Sequence, residues 1–323
     1  MKRPCIYFVL PCYNEEKCLR ETFGQLQEKY SKLVSEKIIS EKSKILFIDD
    51  GSKDRTWDLI LELGEEYDDV IGLKLAHNVG HQNALYAGLI YASDFSDATI
   101  SMDADLQDNL SVVDGFIEKY CDGYEIVYGV RGSRKSDTGF KRFTAQTFYK
   151  MMKMLGVDLV YNAADCRLMS RRAVKQLGEY TEINLFLRGL VPLIGLKSTT
   201  VSYQRDKRLA GESKYPLKKM MNFAWDGVTS FSVKPIRMVL SLGIIVFVLS
   251  VIVMLYALIM WVVGQTVSGW TFTICSIWLV AGIQMISIGL IGEYVGKIYA
   301  ETKRRPRYFV EKIIMNRKVK ENE

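Results

Sequence analysis

The sequence predicts an α/β fold: a mostly parallel, Rossmann-like sheet with flanking helices, followed by interfacial helices and two C-terminal transmembrane helices. Three observations predict it. Short apolar segments alternate with helix-periodic segments, polar loops follow the apolar segments, and a long uncharged stretch lies near the C-terminus. Strands that alternate with helices indicate a parallel sheet with right-handed crossovers.

The predicted strands are short apolar runs. The first, CIYFVL at 5–10, is continuously apolar, as in a strand buried on both faces. The other four are predicted at 44–48, 70–76, 98–102 and 124–130. The first helix opens at Asn14 and Glu15 and carries apolar residues at three- and four-residue steps. Three more helices are predicted at about 56–66, 82–92 and 111–121.

The C-terminal part of the chain has no Asp, Glu, Lys or Arg from Met238 to Gly292. The segment GQTVSG at 264–269 divides it into two apolar runs, each longer than the roughly 20 residues that cross a bilayer. A buried helical hairpin of a soluble protein is the alternative. Eight Lys or Arg residues between 205 and 237, and nine between 297 and 320, flank a loop that has none. Because basic flanks stay cytoplasmic, both termini and the N-terminal body are expected in the cytosol.

This organisation gives four expected parts. Residues 1–220 form a cytosolic domain, 221–237 an amphipathic juxtamembrane segment, 238–292 two spans with a short external loop, and 293–323 a basic cytosolic tail. Two further segments, at 141–156 and 185–195, mix bulky apolar and basic residues. Interfacial helices and ordinary amphipathic helices on the sheet would both give this pattern, and the nearby spans favour membrane contact.

Three aspartates crowd the segment SMDADLQDN at 101–109, directly after a predicted strand. In an extended segment Asp103 and Asp105 point to the same side, about 7 Å apart. Oxygen ligands without thiols suit Mg²⁺ or Mn²⁺ with substrate phosphates in the coordination shell, and Gln107 continues the same phase. The alternative is a solvated turn in which Asn109 or Ser111 caps the next helix.

Other polar clusters follow the first two strands. PCYNEE at 11–16 and DDGSKD at 49–54 supply acidic groups to the carboxyl edge of the sheet, where ligands bind in such folds. Asp49, Asp50 and Asp54 would contact a nucleotide or cap the helix at 56. The two histidines, His77 and His81, have the spacing of metal ligands, but no third ligand is evident in the sequence, which favours packing or a substrate hydrogen bond.

Four motifs, LPCYNEE, IDDGSKDRT, NVGHQNALYAGL and MDADLQD, occur in an order that resembles a family-2 glycosyltransferase with a GT-A fold. Within that family the chain is most similar to the polyprenyl-phosphate type, which includes dolichyl-phosphate mannose synthase and bactoprenol (undecaprenyl-phosphate) glucosyltransferases. The resemblance covers roughly residues 4–220, and the paired spans match the bactoprenol group. Many relatives have His or Asn and then prolines after the D-x-D-L-Q segment, whereas this chain has DNL there.

The resemblance implies roles for particular residues. The nucleotide sugar would be bound by residues at the ends of three strands, namely Pro11, Tyr13, Glu15, Asp50, Asp103 and Asp105. Asp103, Asp105 and Gln107 would hold Mg or Mn. NAADCRL at 162–168 resembles the acidic motif near the acceptor, so Asp165 would join Asp105 as a catalytic residue, as general base or as a positioning group. The lipid phosphate would be bound by basic and hydroxyl residues of two segments, namely Arg131, Arg134, Arg208, Ser213 and Lys214. Simple attraction of the cluster near 131–142 to anionic lipid is the alternative.

The function that the resemblance implies is inverting transfer of one sugar to polyprenyl phosphate at the cytosolic leaflet of the plasma membrane. The donor is expected to be UDP-glucose, with the GlcNAc, galactose, mannose and amino-arabinose donors as alternatives. The expected partners are the nucleotide sugar, the polyprenyl phosphate and the bilayer, with no nucleic acid. Gly289, Gly292 and Gly296 would allow spans of a homo-oligomer to approach. A processive polysaccharide synthase and an inactive membrane scaffold are the competing functions; the chain lacks a Q-x-x-R-W motif and retains both aspartates of D-x-D.

Overall fold

The structure is a computed structural model. It describes residues 3–105, 109–132, 160, 162–183, 185–203, 234–263 and 269–315. Among the predicted site residues, Gln107, Arg134, Arg208, Ser213 and Lys214 lie outside these ranges, as does the segment 141–156.

The described strands form one sheet of eight strands in the order β7-β5-β6-β4-β1-β2-β3-β8. Their bounds are β1 Ile6–Cys12, β2 Lys44–Asp49, β3 Val70–Leu75, β4 Ala98–Ser101, β5 Ile126–Arg131, β6 Ala163–Ser170, β7 Ser198–Tyr203 and β8 Val310–Ile314. The neighbours β1–β2, β1–β4, β2–β3 and β5–β7 are parallel. The pairs β4–β6, β5–β6 and β3–β8 are antiparallel. The predicted mostly parallel α/β sheet is therefore confirmed.

The described helices alternate with the first strands as the periodicity predicts. Their bounds are α1 Leu19–Ser35, α2 Thr56–Glu66, α3 His81–Phe95, α4 Val112–Cys121, α5 Arg171–Gly178, α6 Leu187–Leu193, α7 Lys234–Val262 and α8 Trp270–Thr302. The core lies between the sheet and its helices, and all seven residues of β1 are buried. Because β1 is central and covered on both faces, its sequence is continuously apolar.

The first helix begins later than predicted, at Leu19 and not at Asn14. Asn14 has a φ of 54°, in the left-handed region, so the chain turns there before any helix can form. The amides of Cys18 and Leu19 then donate to the Glu15 carbonyl and start the first turn. The prediction was wrong by about one turn of helix because apolar spacing does not report backbone handedness.

Strand β8 is an element that the sequence pattern did not indicate, since its residues were assigned to a basic tail. It pairs with β3 and covers that edge of the sheet. Lys74 and Glu311 form an ion pair of 3.0 Å across the two strands. A Cβ at Gly72 would lie 2.7 Å from Ile314 Cγ1, so glycine lets β8 pack closely. Residues 305–323 accordingly group with the sheet, in one compact unit with 1–149 and 158–218.

The second compact unit comprises residues 150–157 and 219–304. Within it, α7 and α8 contact each other. Both helices contain segments long and apolar enough to cross a membrane, at Ile236–Val253 and Leu279–Thr302, and neither segment is buried within the protein. A helix that exposes apolar side chains such as Leu255 (53%) and Ile286 (69%) is unsuited to water. These two helices therefore indicate membrane association.

Segment 185–195 forms α6 in the first unit, where Leu187, Leu190 and Val191 are buried. The sequence left two alternatives open, an interfacial helix and an ordinary amphipathic helix that packs on the protein body. The burial of these side chains agrees with the second.

Candidate active site

The loops that follow β1 and β2 are joined by hydrogen bonds. The amide of Asn14 donates to Ser52 Oγ (3.0 Å), and Asn14 Oδ1 accepts from the amide of Lys53 (2.8 Å). The amide of Glu15 donates to Thr56 Oγ1 (2.8 Å). Because parallel neighbours end at the same edge of the sheet, the two polar motifs meet there and fix each other.

The three aspartates of the DDGSKD motif, at the end of β2 and in the loop after it, have different hydrogen-bond partners. Asp54 Oδ1 accepts from the amide and hydroxyl of Thr56, so it caps the start of α2, which was one alternative for this cluster. Asp49 is fully buried, and its Oδ1 accepts from the amide of Ser52 (3.3 Å). Burial raises the pKa of the Asp49 carboxyl, and the hydrogen bonds from Ser52 lower it in part.

Asp50 supports the loop between β3 and α3. Its Oδ1 accepts from the amide of Val79 (2.7 Å), and its Oδ2 accepts from the amide of Gly80 (3.0 Å) and from Asn78 Nδ2 (3.1 Å). The neighbouring Gly51 has a φ of +66°, and a Cβ there would lie 2.7 Å from the amide nitrogen of Asn78. Only glycine allows this approach. The nucleotide contact of Asp50 stays a prediction, and the described hydrogen-bond partners of its carboxylate all lie in the 78–80 loop.

Three other predicted nucleotide residues, Pro11, Tyr13 and Glu15, lie at or just after the end of β1. Pro11 is buried and pairs with Ile48 of β2. Tyr13 is 39% exposed, so its ring is open to a ligand at this edge. Glu15 Oε2 accepts from Cys18 Sγ at 3.1 Å. Burial and that hydrogen bond raise the pKa of the Cys18 thiol to about 12, so Cys18 stays protonated.

Asp103 and Asp105 follow β4 at the same edge, and both are partly exposed. The antiparallel register of β4 and β6 pairs Ser101 with Arg167. Asp103 lies two residues beyond the end of β4, and Asp165 lies two residues before Arg167 in β6, so both lie at the same end of this strand pair. Side-chain atoms of Asp103, Asp165 and His81 all lie within 4.8 Å of one another, and His81 Nε2 is 3.6 Å from Asp103 Oδ1.

Asp165 is held by two guanidinium groups. Arg188 donates through Nε to Oδ1 and through Nη2 to Oδ2, both at 2.9 Å, and Arg167 Nη2 donates to Oδ1 at 3.1 Å. Burial alone would raise the pKa of the Asp165 carboxyl, but the charge and hydrogen bonds of Arg188, and then the charge of Arg167, lower it well below its usual value. The carboxylate therefore stays ionised, and a group this strongly paired is poorly suited to accept a proton.

The chemistry of this edge fits a divalent cation. Asp103 and Asp105 offer partly exposed carboxylate oxygens, and His81 adds an imidazole nitrogen next to Asp103. Oxygen ligands suit Mg²⁺ or Mn²⁺, and an imidazole favours Mn²⁺ of the two. Asp165 fits a ligand role less well, because both of its oxygens already accept from arginine.

The predicted phosphate-binding residues are only partly described. Arg131 ends β5, in register with Tyr203 at the end of β7. The others fall outside the described residues.

Three residues of the site were missed or undervalued in the sequence. Arg167 and Arg188 were not singled out, and His81 was assigned to packing or a hydrogen bond. The signal for Arg167 was available: it lies two residues after Asp165, so in a strand both side chains share a face. No local signal marks Arg188, because only the packing of α6 brings it to β6.

Comparison with protein-family models gives two matches that together span most of the chain. Glycosyl transferase family 2 matches residues 7–178. The GtrB C-terminal hairpin matches residues 234–298. The second match covers helices α7 and α8.

Curated relatives extend over nearly the whole length. A Bacillus subtilis (strain 168) protein described as uncharacterized glycosyltransferase YkoT is 54% identical over 309 residues, which cover 96% of this chain and 92% of that one. The prophage bactoprenol glucosyl transferase homolog of Escherichia coli K12 is 36% identical, covering 95% and 99% of the two chains. The bactoprenol glucosyl transferase of Shigella phage SfX is 36% identical, covering 94% and 98%.

Proposed function

Since this chain belongs to glycosyl transferase family 2 and is a glycosyltransferase, we propose that it transfers one glucose from UDP-glucose to undecaprenyl (polyprenyl) phosphate at the cytosolic leaflet of the plasma membrane. The observation that carries this proposal is the full-length likeness to bactoprenol glucosyl transferases, which includes the hairpin. The mostly parallel sheet with a polar carboxyl edge supports a nucleotide-sugar donor.

The proposed reaction exchanges one bond for another. An oxygen of the acceptor phosphate forms a bond to the anomeric carbon of the sugar, and the bond from that carbon to the diphosphate breaks, which releases UDP. In-line attack inverts the anomeric centre, so an α-linked donor gives a β-linked lipid. A phosphate monoester has a second pKa of about 6, so it is largely dianionic near neutral pH and needs little proton removal.

The residues at the carboxyl edge of the sheet would have separate roles in the reaction. Asp103 and Asp105 would hold Mg or Mn, which when bound supplies positive charge to the departing diphosphate. Asp103 and Asp105 would in this way also fix the donor phosphates, while Tyr13 and the loop held by Asp50 would border the nucleotide. Asp165 would stay ionised throughout, because Arg188 and Arg167 hold it so.

A turnover assay tests the proposed function. The purified protein in lipid vesicles, supplied with UDP-glucose and Mg or Mn, is expected to release UDP only when undecaprenyl phosphate is present, and to form a glucosylated lipid. Chain elongation without the lipid would identify a processive synthase. Absence of turnover with UDP-glucose and with every alternative sugar donor would identify a scaffold. Substituting those donors for UDP-glucose tests the choice of sugar.

The proposed topology makes a separate prediction. In a Cys121→Ser background, which removes an exposed native thiol, a cysteine at Ser268 is expected to react with an impermeant maleimide in intact cells. A cysteine at the exposed Lys53 is expected to react only after permeabilisation. The physical reason is that basic residues flank both spans and the loop has none. Labelling of Lys53→Cys in intact cells, or protection of Ser268→Cys, would contradict this topology.

A further inference from the structure

The segment that carries Asp103 and Asp105 alternates between buried and partly exposed residues. Met102 and Ala104 are 2% and 4% exposed and belong to the hydrophobic core, whereas Asp103 and Asp105 are partly exposed. Ala104 therefore anchors this segment in the core, between the two aspartates. A shift of Ala104 would move both carboxylates, because one peptide unit joins it to each of them.

Thr22 of α1 holds Ala104 in place. Its hydroxyl donates to the Ala104 carbonyl at 2.6 Å, and Thr22 is fully buried. A threonine inside a helix commonly donates to a carbonyl in the preceding turn of its own helix. The single hydroxyl proton of Thr22 is used instead on a carbonyl 82 positions away in the chain. Thr22 therefore links α1 to the loop after β4.

Two further hydrogen bonds hold the beginning of this loop. Ser101 Oγ donates to the Asp165 carbonyl at 2.7 Å, and the amide of Met102 donates to the Val9 carbonyl at 3.1 Å. These bonds attach the start of the loop to β6 and β1. Of the three bonds, the one from Thr22 lies nearest to Asp105, because Ala104 directly precedes that residue.

Helix α1 also contacts the polar segment after β1. The amide of Leu19, its first residue, donates to the Glu15 carbonyl at 3.0 Å, and Cys18 Sγ donates to Glu15 Oε2 at 3.1 Å. The same helix thus contacts the PCYNEE segment at its start and the loop after β4 one turn later, at Thr22. Its position therefore sets the spacing between these two motifs.

We infer that Thr22 is a positioning residue for the proposed cation and donor site: its hydroxyl fixes Ala104, so that Asp103 and Asp105 keep the spacing that binds a divalent cation. The inference rests on the proposed function, in which these aspartates hold Mg or Mn and the donor phosphates. Because Thr22 is fully buried, it acts through the loop and not by contact with a ligand. Groups that are held in place before a ligand arrives lose less entropy when they bind it.

Thr22→Val tests the inference, because valine keeps the shape of threonine and removes the hydroxyl. Binding of Mn²⁺ in the presence of UDP is measured from the electron paramagnetic resonance signal of the free ion. The Kd for Mn²⁺ is expected to rise at least about 10-fold in Thr22→Val, as is typical when a group that orients metal ligands is lost. Thr22→Ser keeps the hydroxyl and should stay within about threefold of wild type. A Kd within about twofold of wild type in folded Thr22→Val would overturn the inference.

The matched control is Thr99→Val. Thr99 is also fully buried, and its hydroxyl also donates to a backbone carbonyl, that of Met169 at 3.4 Å. It lies inside β4 and joins that strand to β6, so its loss should leave the Kd for Mn²⁺ unchanged. A loss of Mn²⁺ affinity in Thr99→Val as large as that in Thr22→Val would overturn the specific role of Thr22. Thermal unfolding checks that each variant is folded, and Thr22→Ala replaces Thr22→Val if valine prevents folding.

Failure of the proposed function would be recognised separately. Wild-type protein that binds Mn²⁺ and UDP but transfers no glucose to undecaprenyl phosphate would contradict the proposed function. Mn²⁺ binding needs no acceptor and would still decide the inference: weaker binding in Thr22→Val supports it, and wild-type affinity overturns it. Wild-type protein that binds no Mn²⁺ would also overturn the inference, because Thr22 would then have no cation site to position.

Discussion

Asp105→Asn is expected to lower the rate of sugar transfer at least about 100-fold in Mg²⁺ or Mn²⁺ while leaving the protein folded. Asp105 lies in the polar loop after β4 and is partly exposed, so the core does not depend on its charge. The substitution keeps the shape of the side chain and removes the anionic oxygen that a hard divalent cation prefers. The measurement is the initial rate of UDP release with undecaprenyl phosphate over a series of metal concentrations.

The matched control for this variant is Asp114→Asn. Asp114 lies in the first turn of α4, is 57% exposed and pairs with Lys29 at 2.6 Å. An exposed ion pair contributes about 0–1 kcal/mol, so this variant should keep near-normal turnover. If Asp105→Asn also turned over near normally, the loop after β4 would be a solvated turn, and the proposed metal site would be wrong.

Asp50→Ala is expected to lower the free energy of unfolding of the sheet domain by about 2–5 kcal/mol. Asp50 is 2% exposed, and its carboxylate accepts from the amides of Val79 and Gly80. Alanine would leave these donors without their partner in a site where water has little access. Because Gly80 precedes His81, the start of α3 should loosen as well, and transfer activity should fall with stability.

Thermal unfolding of the purified protein in detergent measures this effect, together with the affinity for UDP-glucose. Asp58→Ala is the control, since Asp58 is an exposed acidic residue in the first turn of α2 and should cost only some tenths of a kcal/mol. A variant of Asp50 with unchanged stability and lost UDP-glucose binding would favour the nucleotide contact implied by family resemblance over the loop-supporting role.

The sequence by itself determined the class of the fold and the identity of the acidic motifs. Strands β1 to β5 and helices α2 to α4 lie within a few residues of their predicted positions. These elements are visible because a buried parallel strand must be continuously apolar and its crossover helix must be amphipathic. The uncharged stretch from Met238 to Gly292 likewise predicted the two apolar helices, because the polarity of the side chains directly reflects the polarity of their surroundings.

The tertiary structure alone decided which polar groups meet. Strand β6 was not predicted, and its register with β4 is what places Asp165 beside Asp103. Arg188 reaches Asp165, 23 positions away in the chain, only because the fold brings the start of α6 beside β6, where Arg167 Nη1 donates to the Leu187 carbonyl. Such contacts leave no local periodicity in the sequence, because a single arginine on a short helix has the same pattern whether it pairs with a carboxylate or with water. Strand β8 could not be predicted either, because its residues do not alternate clearly between apolar and polar. Its strand conformation depends on pairing with β3, which the local sequence does not indicate.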